Sequence, residues 1–129
     1  MSNQEVRPTI LLVDEDKIIR NLLQMHLQAA GYRVLTAGGG CEAVSLAPQR
    51  PDLLITGLIM HGMDGLELIR HWRRTYPATK IIALFKTSGI HYLKMAQLLG
   101  ADVALQKPFP PATLLEIVEQ QISRSGSRR

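Results

Sequence analysis

Apolar residues along this chain follow two alternating patterns, short continuous runs and longer segments with helical spacing. The continuous runs are rich in branched residues and predict buried strands at residues 9–13, 33–37, 52–56, 80–85 and 102–106. The segments that follow them predict helices beginning near residues 16, 41, 64, 90 and 111. Because parallel strands need helical crossovers, five such units predict an α/β protein with a parallel sheet between two layers of helices.

Three of the predicted helices have recognisable ends or faces. The first ends at Gly31, a favourable C-terminal cap, and its apolar stripe comprises Ile18, Ile19, Leu22, Leu23 and Leu27, with Met25 beside them. Asp64 is the predicted N-cap of the third helix, with Glu67 completing a capping-box-like pair, and Trp72 on its apolar face is a predicted core residue. Pro111 occupies the first position of the predicted fifth helix.

Composition bounds the class of protein. The 129 residues, 46% of them hydrophobic, predict one domain over residues 1–123, followed by a polar basic tail at 124–129. No apolar run approaches the ~20 residues that a membrane span needs, and no signal peptide precedes the first strand, so we expect a cytoplasmic protein without a membrane partner. Cys41 is the only cysteine, which excludes an internal disulfide and a cysteine-based zinc site. We expect it to be a small packed residue.

The net charge of +4 raises the question of nucleic-acid binding. Basic residues concentrate in the tail and on the third helix, namely Arg124, Arg128 and Arg129, and Arg70, His71, Arg73 and Arg74. A charge run on a helix is usually a solvated face, and no recognition motif accompanies these residues. Binding of nucleic acid through the third helix and tail therefore remains an alternative, and we do not expect it as the main function.

Candidate chemistry lies at the carboxyl ends of the predicted strands, where open α/β sheets place their working groups. The first strand ends in Asp14 and Glu15, the third in Gly57, the fourth in Phe85 and the fifth in Lys107. An acidic pair facing a lysine is typical of a magnesium and phosphoryl site, because Mg²⁺ prefers carboxylates and an ammonium neutralises phosphoryl oxygens.

At these residues the chain resembles the receiver domains of bacterial two-component response regulators. The resemblance extends from Ile10 to Gln120 and depends on ILLVDED at the first strand, PDLLITGLIMHGMDG at the third and LGADVALQKPF at the fifth. It implies a flavodoxin-like doubly wound (βα)5 sheet with strand order 2-1-3-4-5. It also implies that an aspartate ending the third strand accepts a phosphoryl group from a histidine kinase.

The resemblance assigns roles to some residues and shows departures at others. The family's acidic pair falls on Asp14 and Glu15, its main-chain metal ligand on Ile59, and its lysine on Lys107, whose bond to Pro108 is typically cis. The acceptor aspartate is replaced by Gly57, the switch hydroxyl by Phe85, the switch aromatic by Ala104, and a proline of the following loop by His61.

We therefore expect a pseudo-receiver of a two-component or phosphorelay system that is not phosphorylated at the usual position, has no cofactor, and binds Mg²⁺ at most weakly. Docking to a histidine kinase or an effector, or to a second copy, is expected through the fourth helix, fifth strand and fifth helix, with Tyr92, Met95 and Gln97 as candidate contacts. Poor substitutes for the acceptor are Thr56, His61 and Asp52, and for the hydroxyl Thr87 and Ser88.

An enzymatic alternative is a small Mg²⁺-dependent phosphohydrolase of haloacid-dehalogenase type. Asp14 would be its nucleophile, Asp16 its acid/base and Lys107 its charge-neutralising group. Such enzymes normally carry a hydroxyl residue after a later strand and a cap domain, and neither fits this chain, so the expectation is a protein that is not an enzyme.

Overall fold

The structure is a computed structural model that describes residues 7–126, apart from the side chains of residues 87–89, 125 and 126. Its elements in chain order are β1 (Thr9–Val13), α1 (Lys17–Ala29), β2 (Arg33–Ala37), α2 (Gly40–Ser45), β3 (Leu53–Gly57), α3 (Gly65–Thr75), β4 (Lys80–Phe85), α4 (Leu93–Leu99), β5 (Val103–Gln106) and α5 (Pro111–Gly126). The strands form one parallel sheet in the order β2-β1-β3-β4-β5. The predicted flavodoxin-like α/β fold and its strand order are confirmed.

Strand β1 is an inner strand of the sheet, paired with β2 on one side and β3 on the other. Its side chains alternate between two apolar clusters. Leu11 and Val13 belong to the cluster covered by α2, α3 and α4, whereas Ile10 and Leu12 belong to the cluster under α1 and α5. Because the strand order reverses between β1 and β3, a cleft opens at their carboxyl ends.

Two strands and one helix begin later than the sequence predicts. Asp52 and Asp102 precede β3 and β5 and use their carboxylates instead: Asp52 accepts a hydrogen bond from the Thr9 amide at 2.8 Å, and Asp102 accepts one from the Ile81 amide at 2.8 Å. Each aspartate thus ties the start of a neighbouring strand. The predicted fourth helix opens with a 3₁₀ turn, Thr87–Tyr92, before α4.

The predicted apolar stripe of α1 is only partly buried. Leu23 and Leu27 lie in the core, but Ile18, Leu22 and Met25 are 79%, 40% and 59% exposed. The apolar residues span a wider arc of the helix than one sheet face can cover. An exposed apolar face remains on the outside of α1.

Of the other two packing predictions, one is confirmed and one is wrong. Trp72 is 1% exposed and is a core residue as expected. Cys41 is exposed, so the expectation of a packed cysteine is wrong: it lies on the outward side of the short helix α2. Helix α5 begins at Pro111 and extends to Gly126, and Arg128 and Arg129 lie outside the described residues. Within residues 7–126, no helix is long and apolar enough to cross a membrane.

Arg73, which the sequence placed on a solvated basic face, is a tie between α3 and two loops. Its guanidinium donates hydrogen bonds to the carbonyls of Gly100 at 2.8 and 3.1 Å, and of Pro77 and Thr79 at 2.8 Å each. It also pairs with Asp102 at 2.7 Å. Arg73 therefore holds the amino ends of β4 and β5 against the carboxyl end of α3.

Replacing Arg73 by lysine removes the planar set of donors that reaches these carbonyls, because an ammonium cannot serve them all. We expect Arg73→Lys to lower the free energy of unfolding by about 1.5–3 kcal/mol, the range for a hydrogen bond to a charged group. Urea unfolding measures it, with Arg74→Lys on the exposed neighbour as the matched control. Equal stabilities of the two variants would contradict the assigned role.

Candidate functional site

The cleft at the carboxyl ends of β1 and β3 is organised by an ion pair between Asp14 and Lys107. Nζ of Lys107 lies 2.6 Å from Oδ2 of Asp14, and the two side chains are only 13% and 6% exposed. Oδ1 of Asp14 accepts a hydrogen bond from the Asp16 amide at 2.9 Å. Both oxygens of the Asp14 carboxylate are therefore already engaged by the protein.

Further hydrogen bonds stabilise the turn after β1, and two of them are accepted by the Asp16 side chain. Oδ1 of Asp16 accepts hydrogen bonds from the amides of Ile18 and Ile19 and so caps α1. Nη1 of Arg20 donates to the Asp14 carbonyl at 2.7 Å. Asp16 is therefore the N-cap of α1, where its negative charge interacts favourably with the partial positive charge of the helix N-terminus.

Glu15 also lines this cleft, and it bonds to the loop after β3. Its Oε2 accepts a hydrogen bond from the His61 amide at 2.9 Å and also contacts Nδ1 of His61. The amide hydrogen bond, followed by the imidazole contact, lowers the pKa of the Glu15 carboxyl from its usual value. The two acids that are adjacent in sequence therefore have different partners, and His61 holds one of them.

Gly57 ends β3 directly beside this ion pair. A Cβ atom placed on Gly57 would lie 3.5 Å from Oδ2 of Asp14, an ordinary van der Waals contact, so packing does not demand glycine there. Gly65 is different, because its Cβ would lie 1.9 Å from the Gly57 carbonyl oxygen. Glycine at 65 is needed where α3 starts against the end of β3, whereas glycine at 57 simply leaves the cleft without a side chain.

Phe85 and Ala104 lie on the same face of neighbouring strands, in or against one apolar cluster. Phe85 is 7% exposed and ends β4, where its carbonyl accepts a hydrogen bond from the Lys107 amide at 2.7 Å. Ala104 is half-buried and pairs in register with Ala83. The Lys107–Pro108 bond is cis, as the resemblance implies. The large side chain is therefore on β4 and the small one on β5.

The cleft has a volume of about 290 Å³, and Lys86 and Ile59 line it together with the residues above. Ile59 is 57% exposed. Among the described residues, no group of three or more histidine, cysteine, aspartate or glutamate side chains is placed to hold a metal ion. The structure brings Asp14, Glu15, Gly57, Phe85 and Lys107 together around the cleft, and Glu15 is bonded to His61.

The substitute groups predicted from the sequence are not gathered at the cleft. Thr56 is fully buried and its Oγ1 donates to the Gly57 carbonyl at 2.8 Å. Asp52 precedes β3 at its opposite end, and the His61 side chain is 95% exposed. The side chains of Thr87 and Ser88 lie outside the described residues. Sequence reasoning missed the Glu15–His61 contact, because 46 residues separate the partners and nothing local signals it.

Breaking the buried ion pair should be costly. We expect Lys107→Met to lower the free energy of unfolding by about 3 kcal/mol, because it leaves a buried carboxylate without its cation. The double variant Asp14→Asn with Lys107→Met should cost less than the sum of the two single variants. Urea unfolding of all four proteins gives the coupling energy, and strictly additive losses would show that the pair does not interact.

Comparison with known proteins agrees with this geometry. Residues 10–119 match the response regulator receiver domain family. The chemotaxis protein CheY4 of Vibrio cholerae is 34% identical, with a TM-score of 0.82 over 89% of this chain and 98% of that one. The signal receiver domain of an HD domain-containing protein from Pseudomonas fluorescens Pf-5 is 30% identical, with a TM-score of 0.88 over 94% of this chain and 98% of that one.

A CheY-like receiver domain protein from Methanospirillum hungatei JF-1 shares the fold at 23% identity, with a TM-score of 0.90 over 95% of this chain and 99% of that one. The sheet order, the acid and lysine that meet at the carboxyl ends of β1 and β5, and the extent of the sequence match point the same way. This chain therefore belongs to the response regulator receiver domain family.

Proposed function

We propose that this receiver domain is a pseudo-receiver of a two-component or phosphorelay system, which is not phosphorylated at the family's usual position and acts by docking to protein partners. The observation that carries the proposal is Gly57 at the end of β3, beside the Asp14–Lys107 pair. Glycine has no nucleophile, so an aspartyl phosphate cannot form there. The closest hydroxyl on β3, that of Thr56, is fully buried and bonded to the main chain.

The same residues fit Mg²⁺ poorly, so we propose that the ion is bound weakly or not at all. Asp14 is neutralised by Lys107, and Glu15 is held by His61. Restoring a carboxylate about 5 Å from a divalent ion would add roughly 6–7 kcal/mol of gross Coulomb attraction at an effective dielectric of about 20. Gly57 withholds that charge, and the main-chain carbonyl of Ile59, the family's metal ligand, cannot replace it.

The switch that would follow phosphorylation is also absent in this proposal. Phe85 has no donor to offer a phosphoryl oxygen, and its ring is packed in the apolar cluster that Ala104 borders. Ala104 has no ring to move. Phe85 and Ala104 together therefore lack the two groups that the resemblance couples in the switch.

Docking is proposed through α4, β5 and α5, and the exposed large apolar residues of this surface lie on α4 and the 3₁₀ turn before it. Four of them are about half or more exposed, namely Ile90, Tyr92, Met95 and Leu98. No acidic residue occurs between Lys86 and Ala101, whereas Lys86, His91 and Lys94 are exposed bases. This surface suits an apolar partner segment with acidic neighbours, on a histidine kinase or an effector, better than it suits a second copy of itself.

The other functions considered receive no specific support. A hydrolase would need Asp14 as a free nucleophile and Asp16 as a free acid, but the first is paired with Lys107 and the second caps α1. Nucleic-acid binding by the third helix loses Arg73, which is committed to internal hydrogen bonds. A non-enzymatic docking role is therefore the proposal.

Incubation with acetyl phosphate and a magnesium salt tests the central statement. We expect intact-mass measurement to show no added phosphoryl group on the wild-type chain, because no carboxylate ends β3. Gly57→Asp is the matched variant, and its Cβ meets no close contact. It should gain affinity for Mg²⁺, yet its amide spectrum should change little on treatment while Phe85 and Ala104 remain.

A stable phosphorylated form of the wild-type chain would overturn the proposal. A large conformational change in treated Gly57→Asp would show that the switch is intact and that only the acceptor is missing. The triple variant Gly57→Asp, Phe85→Thr, Ala104→Tyr serves as the positive control for a restored switch.

The docking surface is tested by affinity capture of partners from the source cell. We expect Tyr92→Ala with Met95→Ala to weaken binding of a captured partner about tenfold or more, the loss typical of interface anchor residues. Gln28→Ala, on the exposed side of α1, is the control and should bind like the wild type. Equal capture by both variants would place the contact elsewhere.

A further inference from the structure

Helix α1 presents an exposed face that neither the site nor the proposed docking surface uses. Its apolar members are Ile18, Leu22 and Met25, spaced four and three residues apart and therefore aligned along the helix. Helices α1 and α5 cover one side of the sheet, whereas α4 lies on the other. This face is thus spatially separate from the surface around Tyr92 and Met95.

The exposed face of α1 also lacks charge. From Ile18 to Ala29 the exposed residues are Ile18, Asn21, Leu22, Met25, Gln28 and Ala29. Arg20, the one arginine in this span, is half-buried and bonded to the Asp14 carbonyl. Charge appears only at the amino end, at Asp16 and Lys17. A solvated helix normally carries charged residues on its outer face, so this pattern favours a helix that is covered by another apolar surface.

We propose that the α1 face binds the α1 face of a second copy of this chain, in an antiparallel, two-fold symmetric pair. With the symmetry axis beside Leu22, Leu22 of each copy lies near the axis, and Ile18 of one copy faces Met25 of the other. An isologous contact of this kind needs a surface that is complementary to itself. The spacing of these three side chains meets that condition.

The distribution of charged residues along α1 favours a second copy of the chain over a charged segment of another protein. In the antiparallel pair, Asp16 and Lys17 of one copy face the last turn of the other α1, where the half-buried His26 is the only ionisable side chain. The partial negative charge of that helix end attracts Lys17 and repels Asp16, and the antiparallel helix dipoles are favourable. Along the two helices no like charges are brought together. A partner with acidic or basic side chains would find no counter-charge between Ile18 and Ala29.

Light scattering coupled to size-exclusion chromatography, over a range of concentrations, tests the pair. The wild type should pass from monomer to dimer as concentration rises. Leu22→Glu should raise the dissociation constant about tenfold or more, because it places a charge at the centre of an apolar contact. Leu98→Glu, on the exposed face of α4, should leave it unchanged. Circular dichroism checks that both variants are folded, as expected for exposed positions.

Cysteine cross-linking gives a second, geometric readout in a Cys41→Ser background, which removes the only native thiol. Leu22→Cys should form an intermolecular disulfide with itself, since it lies near the axis. Ile18→Cys should cross-link poorly with itself and readily when mixed with Met25→Cys. A monomer at every concentration, or equal cross-linking of Leu22→Cys and Leu98→Cys, would overturn the proposal. Loss of the dimer in Leu98→Glu alone would assign it to the α4 surface instead.

Discussion

The rest of the site depends on the ion pair between Lys107 and Asp14, because the lysine ammonium balances the negative charge of the aspartate inside the cleft. The pair is short and largely shielded from solvent, and the second oxygen of Asp14 is bonded to the chain of the same turn. The resemblance to receiver domains implies an acceptor carboxylate and a Mg²⁺ site at this edge of the sheet. Here Gly57 contributes no charge, so the lysine and the aspartate satisfy each other.

The residues next to this ion pair are also bonded or packed within the protein. Glu15 is drawn to His61, and Phe85 fills the cluster that Ala104 borders. In the proposed pseudo-receiver, these residues replace the metal site, the switch hydroxyl and the switch aromatic that the resemblance implies. Exposed apolar residues lie on α1, at Ile18, Leu22 and Met25, and on α4, at Met95 and Leu98. The proposed docking function depends on these exposed residues.

The fold and the convergence of Asp14, Gly57 and Lys107 could be predicted because they follow from strand order, and the carboxyl ends of parallel strands meet at one edge. The contacts that the sequence did not reveal depend on how distant parts of the backbone are placed relative to one another. The capture of Glu15 by His61 requires the loop that Gly65 folds against β3, and Arg73 bonds to carbonyl groups, which every residue has. Helical spacing likewise defined an apolar arc on α1 without showing that Ile18 and Met25 fall outside the sheet's reach.

The claim that the cleft no longer responds to a phosphodonor can be measured residue by residue. Amide nuclear magnetic resonance spectra of the wild-type chain, recorded before and after addition of acetyl phosphate with a magnesium salt, report on binding, modification and switching at once. The account predicts unchanged resonances at the ends of β3 and β4 and throughout β5. Shifts that begin at Asp14 and Gly57 and extend to Ala104 would contradict it.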